Sequence, residues 1–278
     1  MKFRIALFVI FLSFGLVGTV SALSQGPPKQ LPNHRKERGT PNNDDVYVRL
    51  SEDGVKMSAP VGPIVKQGSS PDGVKLFASL GEFDTGTELL YFVDFSNWGG
   101  RPHSERIAMI AIGPDTKEQR VKRIKFDDSK MEKRAVDPSV VILPDGRVRM
   151  YFMTPGLSRY AKNIRSAVSK DGINFTMEKG VRIEAPGNPE VHKTSGGWLM
   201  LLSDERNHTS RVAISKDGLK WFIYGGIELP GAMAGVIAHD DRTIRVYAND
   251  GGIISYLLDV NTFKIKGNKK TVVQGKKG

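Results

Sequence analysis

The chain has 278 residues, no cysteine and a formal charge of +11 at pH 7. Absence of cysteine excludes disulfides and thiolate metal sites, so the fold has to rest on its hydrophobic core alone. The basic excess is not interleaved with aromatic residues and no nucleic-acid motif accompanies it, which argues against a nucleic-acid partner.

At the N-terminus, Lys2 and Arg4 precede an apolar run from Ile5 to Val20 that closes on the small residues Val20-Ser21-Ala22. That order is the pattern of an export leader over 1–22, cleaved near Ala22, and it predicts a secreted or periplasmic protein. A membrane anchor is the competing reading, but Ser13, Gly15, Gly18 and Thr19 interrupt the run. Residues 23–44, rich in Pro, Asn and charge, read as a linker. The periodic part follows at 45–273, with a basic tail at 274–278. Charged ends such as His34-Arg35-Lys36 and Lys276-Lys277 predict solvated tails that associate loosely with an anionic cell surface.

Beyond residue 45 short β-branched or aromatic runs dominate, bounded by Gly, Pro, Asp and Asn: Val46 to Val48, Leu89 to Val93, Arg106 to Ile112, Ser139 to Leu143, Val148 to Met153, Trp198 to Leu202, Arg211 to Ile214, Ile244 to Ala248 and Ile253 to Leu258. No amphipathic helix is evident. A phrase recurs among them: Ser51-Glu52-Asp53-Gly54 before Met57, Ser169-Lys170-Asp171-Gly172 before Phe175, and Ser215-Lys216-Asp217-Gly218 before Trp221. Asp and Ser bond backbone groups across such a turn while Gly takes positive φ, so the phrase marks architecture rather than a site.

Whole units repeat around it. Asp137-Pro138 leads through Asp145-Gly146 and Arg149-Met150-Tyr151-Phe152 to Phe175, and Asn188-Pro189-Glu190 leads through Gly196-Gly197 and Leu199-Met200-Leu201-Leu202 to Trp221. A third unit starts at Pro71-Asp72-Gly73, and an eroded fourth at Ala234-Gly235-Val236. Four strands in about 45 to 50 residues suit a propeller blade. The expectation is all-β: a five-bladed β-propeller of four-stranded antiparallel blades, with the hairpin from Tyr47 to Val65 as part of an incomplete fifth blade.

The innermost strand of each blade lines the axis, so the acids near the start of three units, Asp72, Asp137 and Glu190, are candidates to meet a substrate. Asp137 precedes its proline whereas the other two follow theirs, and on regular strands a shift of one residue turns a side chain to the opposite face.

The Pro-flanked acids, the phrase Val136-Asp137-Pro138-Ser139-Val140 with Asp145-Gly146 and Tyr151, and the Ser-Lys-Asp-Gly turns together resemble the five-bladed glycoside hydrolases of the arabinanase, xylosidase, invertase and levansucrase type. The resemblance implies Asp72 as base or nucleophile, Asp137 as auxiliary carboxylate and Glu190 as general acid. Glycosidic cleavage needs one carboxyl group to protonate the leaving oxygen and one ionised on the opposite face. Asp94, Trp98, Arg101, Tyr151, Arg206 and Asp250 are the expected substrate-binding residues, Trp98 by stacking on a sugar and the arginines by holding hydroxyls or a carboxylate. No cofactor is expected, and no metal, because His192, His208 and His239 lack ligand spacing. A monomer acting on carbohydrate is the expected form. Two rivals stand beside this: a sialidase-like exoglycosidase, for which Arg134, Arg165, Arg206 and Arg211 are available, and a secreted propeller that binds glycans without turnover.

Overall fold

A computed structural model describes residues 6–10, 46–51, 53–59, 61–65, 69–75, 88–94, 106–112, 121–155, 162–184, 187–204 and 206–273; for 6–10, 46–50, 61–65, 69–75, 88, 112, 155 and 162 it describes the backbone alone. Apart from one turn of 3-10 helix at Met131–Lys133, the regular structure described is β.

Four consecutive units each form an antiparallel sheet, the blades of a propeller. A small sheet comes first in the chain, from β1 (Ala6–Ile10), β2 (Val46–Ser51) and β3 (Val61–Val65). Blade I consists of β4 (Ser69–Lys75), β5 (Glu88–Asp94), β6 (Arg106–Ile112) and β7 (Lys122–Arg123). A two-residue strand, β8 (Lys125–Phe126), leads out of it. Blade II follows as β9 (Val136–Ile142), β10 (Val148–Pro155), β11 (Lys162–Ser169) and β12 (Asn174–Met177). The short β13 (Ile183–Glu184) pairs with β11, and β8 adds to β12 in parallel. Blade III is β14 (Pro189–Thr194), β15 (Gly197–Asp204), β16 (Thr209–Ser215) and β17 (Phe222–Pro230). Blade IV is β18 (Ala232–Asp240), β19 (Thr243–Asn249), β20 (Ile253–Asp259) and β21 (Ile265–Val273).

The first strands of successive blades touch one another, β4 with β9, β9 with β14 and β14 with β18, which makes them the inner ring. Side chains alternate along each strand, so each sheet presents one apolar face to each neighbour. Tyr91 and Met109 of blade I pack on Met150, Phe152 and Phe175 of blade II; Tyr151 and Ile164 of blade II pack on Met200, Leu202 and Trp221 of blade III; Leu199, Leu201 and Val212 pack on Val246, Ala248 and Tyr256 of blade IV. Full burial of each such side chain is worth about 1.5–3 kcal/mol, enough for these interfaces to replace the missing disulfides.

The Ser-x-Asp-Gly turns clamp the blades together. In each, the serine Oγ accepts the glycine N–H, and the aspartate takes the two backbone N–H groups beyond the glycine, as Asp217 does from Leu219 and Lys220 at 2.8 Å each. The glycine carbonyl then accepts a tyrosine hydroxyl from the preceding blade: Tyr91 to Gly172 at 2.8 Å and Tyr151 to Gly218 at 2.7 Å. Tyr247 of blade IV makes the same 2.8 Å bond to Gly54, in the turn after β2. The small sheet therefore touches blade IV through Gly54 and blade I through β2 and β4. Its edge strand β1 comes from the stretch read above as a leader.

Candidate functional site

Pairing at the start of β9 is interrupted. Val136 lies opposite Met153 and Ser139 opposite Tyr151, so Asp137 and Pro138 share the single partner Phe152. This is a β-bulge, and Asp137 takes φ 53° within it, a left-handed conformation that Asp tolerates better than most residues. Blade IV repeats the device: Met233 and Ala234 share Ala248, and Met233 has φ 52°. In blade I the interruption is larger, with residues 71–74, Asp72 among them, between the pairs Ser70–Val93 and Lys75–Tyr91. Blade III has no such insertion, and Glu190 sits in regular register opposite Leu201. The conflict expected of regular strands thus does not arise, because Asp72 and Asp137 occupy bulged stretches opposite equivalent residues, Phe92 and Phe152, where strict alternation does not apply.

Three acids are buried among the described residues, Asp94 at 5%, Asp137 at 7% and Glu190 at 4% exposure, and they come from three successive blades. Glu190 is tied to both neighbours. Its Oε2 accepts the Ser139 hydroxyl of blade II at 3.2 Å, and its Oε1 accepts the Val236 N–H of blade IV at 3.2 Å. Ser139 in turn accepts the Val191 N–H at 2.9 Å. One carboxylate and one hydroxyl thereby join the inner strands of three blades. Ser203 makes a comparable link, its Oγ accepting the Met233 N–H at 2.7 Å. Ser203 stands at the end of a second strand, where secondary candidates were expected; sequence reasoning missed Ser139, whose signal was its place two residues after Asp137 in the Asp-Pro-Ser phrase.

The other expected residues fall in different surroundings. Asp94 ends β5 and lies 3.6 Å from the Arg123 guanidinium. Asp72 is in β4, but its side chain lies outside the described residues, as do Trp98 and Arg101 altogether. Tyr151, expected at the ligand, is instead fully enclosed between blades II and III, bonded to Gly218 and packed edge-on against Trp221 at 5.7 Å. Arg206 is exposed in the turn after β15, its N–H on Asp204. Asp250 is exposed and pairs with Lys269 at 2.8 Å. Of the arginines that a sialidase reading needs, Arg165 and Arg211 lie on third strands and Arg134 and Arg206 are exposed in connections, none of them on the inner ring.

Burial pushes the Tyr91, Tyr151, Tyr247 and Tyr256 phenols up, so all four stay protonated as donors. Burial pushes the His192 imidazole, on β14 two residues from Glu190, below its ordinary value, which favours the neutral ring. The turn aspartates move the other way: backbone N–H groups hold Asp171 well below the usual carboxylate range and bring Asp217 and Asp259 to about 2. Among the described residues, no three His, Asp or Glu side chains gather as metal ligands would.

No family model and no curated protein matches the chain. Solved structures do. A family 117 glycoside hydrolase from the marine bacterium Zobellia galactanivorans aligns with TM-score 0.55 at 17% identity over 71% of this chain, which spans 60% of that protein's length. A protein described as a glycoside hydrolase aligns with TM-score 0.59 at 14% identity, covering 84% of this chain and 81% of the other. A putative glycosidase from Bacteroides thetaiotaomicron aligns with TM-score 0.53 at 12% identity, over 74% of each chain. At these identities the likeness shows the fold: the chain is a β-propeller of the kind on which glycoside hydrolases are built.

Proposed function

We propose that the protein is an exported glycoside hydrolase-like propeller that cleaves oligo- or polysaccharides with carboxylates gathered near the propeller axis. Asp72 is the base or nucleophile, Asp137 the auxiliary carboxylate and Glu190 the proton donor. The observation that carries this reading is the bulge of β9. Blade IV keeps the same bulge and the same positive φ with Met233, so this backbone does not require a carboxylate, and the acid at Asp137 calls for another reason. Burial of Asp137 and Glu190 on adjoining inner strands supports it, as does the fold shared with glycoside hydrolases. Glu190 accepts one hydrogen bond on each carboxylate oxygen, which leaves a lone pair on each to carry the proton it delivers.

The hairpin of β2 and β3, which remains once a leader over 1–22 is removed, is in this reading part of an incomplete fifth blade. Its Ser51-Glu52-Asp53-Gly54 phrase is an Asp-box turn that receives Tyr247 as the other two boxes receive Tyr91 and Tyr151.

The test is hydrolysis of aryl glycosides and a panel of oligosaccharides by the chain and by Asp72→Asn, Asp137→Asn and Glu190→Gln. Loss of turnover with retained saccharide binding in each variant is the expected result. Turnover unchanged in Glu190→Gln removes the acid assignment, and saccharide binding without any turnover by the unaltered chain leaves a glycan-binding propeller.

A further inference from the structure

Between blades III and IV, among the described residues, no tyrosine reaches a box glycine, and the tyrosine bond there runs instead from Tyr256 of blade IV to the Pro230 carbonyl of blade III at 3.1 Å. Counting from the box serines, Val148 pairs with Ser169 and Trp198 with Ser215, so Leu201 stands where Tyr151 stands and Leu199 where Arg149 stands. The facing turn of blade IV, Asp259 to Phe263, has neither the serine nor the glycine of the other boxes. Where blades II and III are sealed by Tyr151 and Arg149 reaching Gly218 and Asp217, blades III and IV part into a cleft of about 530 Å³.

Its walls combine two chemistries. Phe222 is 70% and Tyr224 45% exposed, and Phe263 steadies the Tyr224 ring edge-on at 5.0 Å. Lys216 and Lys220 line the same space, and Lys193 lies 5.9 Å over the ring of Trp198 in its wall. Asp217 is the acid among the lining residues, and its Oδ1 already accepts two backbone N–H groups and the Ser215 hydroxyl. The cleft is therefore an aromatic surface edged by Lys216 and Lys220, with Lys193 beside it, and the single carboxylate of Asp217 leaves the balance of charge positive. It opens at the Thr194 end of β14, four residues and about 13 Å along the strand from Glu190.

We propose that this cleft is a second carbohydrate site, separate from the axial acids, that takes a segment of an anionic polysaccharide bearing uronate or sulfate groups. The aromatic faces meet the C–H face of a sugar ring, the Asn261 amide meets hydroxyls and the lysines meet the anionic substituent. A second copy of this chain is disfavoured as occupant by its own charge of +11. The site needs no turnover on the axis.

The test is titration of the full chain with an oligogalacturonate, a neutral oligosaccharide of the same length and an oligoglutamate of the same charge. Binding of the oligogalacturonate at least tenfold tighter than of the other two is expected. Phe222→Ala should weaken it about fivefold, and Lys216→Ala with Lys220→Ala about tenfold with a flatter salt dependence, at unchanged melting temperature. Phe222→Ala should also leave hydrolysis of a short aryl glycoside unchanged, which separates failure here from failure on the axis. Equal binding of oligoglutamate with no effect of Phe222→Ala marks a mere polyanion or peptide surface and overturns the proposal, as does equal binding of the neutral sugar.

Discussion

Replacing Tyr151 by Phe isolates the bond that joins blades II and III. The ring, fully buried and edge-on to Trp221, keeps its packing, while the 2.7 Å bond to the Gly218 carbonyl is lost; that oxygen keeps its 3.1 Å bond from the Trp221 indole N–H. Losing one hydrogen bond whose acceptor stays partnered costs about 0.5–1.5 kcal/mol. For a chain of this size about 1 kcal/mol lowers the melting temperature by roughly 2–4 °C. The denaturation midpoint should fall with an unchanged slope, since the surface exposed on unfolding is the same. Gly218→Ala tests the contact from the other side: at φ 72° its methyl would lie 2.7 Å from the Tyr151 hydroxyl and 2.8 Å from an Arg149 nitrogen. Removing the phenol oxygen relieves one of these clashes, so the double variant should be less destabilised than the two single effects added together. Saccharide affinity should be unchanged. Unaltered stability with loss of affinity in Tyr151→Phe, or strict additivity in the cycle, refutes the interblade role.

Glu190 separates structure from chemistry. In Glu190→Gln the amide oxygen can take the Val236 N–H while the amide nitrogen donates to Ser139, so stability should stay within about 1 kcal/mol while turnover falls by about 10²–10⁴-fold. Glu190→Ala strands both donors and should cost about 2–4 kcal/mol, read by urea denaturation. Acid titration followed by circular dichroism reports the turn aspartates. Asp217 and Asp259 have folded values near 2 and Asp171 is lower still, all below the ordinary 3.8, so their contribution is complete above pH 4 and drains away as pH falls toward 2. Asp217→Asn should flatten that decline, and an unchanged acid limb contradicts the assignment.

Much of the propeller was legible because repetition is written locally. Turn chemistry needs Ser, Asp and Gly at set spacings, and the second strands of blades I and III are buried on both faces, so Leu90 to Val93 or Leu199 to Leu202 stand out as apolar runs. The outermost strands were not legible. Phe222–Pro230 and Ile265–Val273 are largely exposed and carry glycines and lysines, so nothing in their composition demands a strand; pairing with β16 and β20 supplies it.

By itself the sequence determined the repeating unit, its turns and which acids begin three of the four units, because these depend on residues close together in the chain. Whether Asp137 escapes the alternation of its strand, that Glu190 is held by Ser139 and Val236, and that Tyr151 is a clamp and not a ligand contact were decided by tertiary structure. Each of these depends on a partner across the sheet or some 46 to 67 residues away, and no local pattern encodes which partner that is.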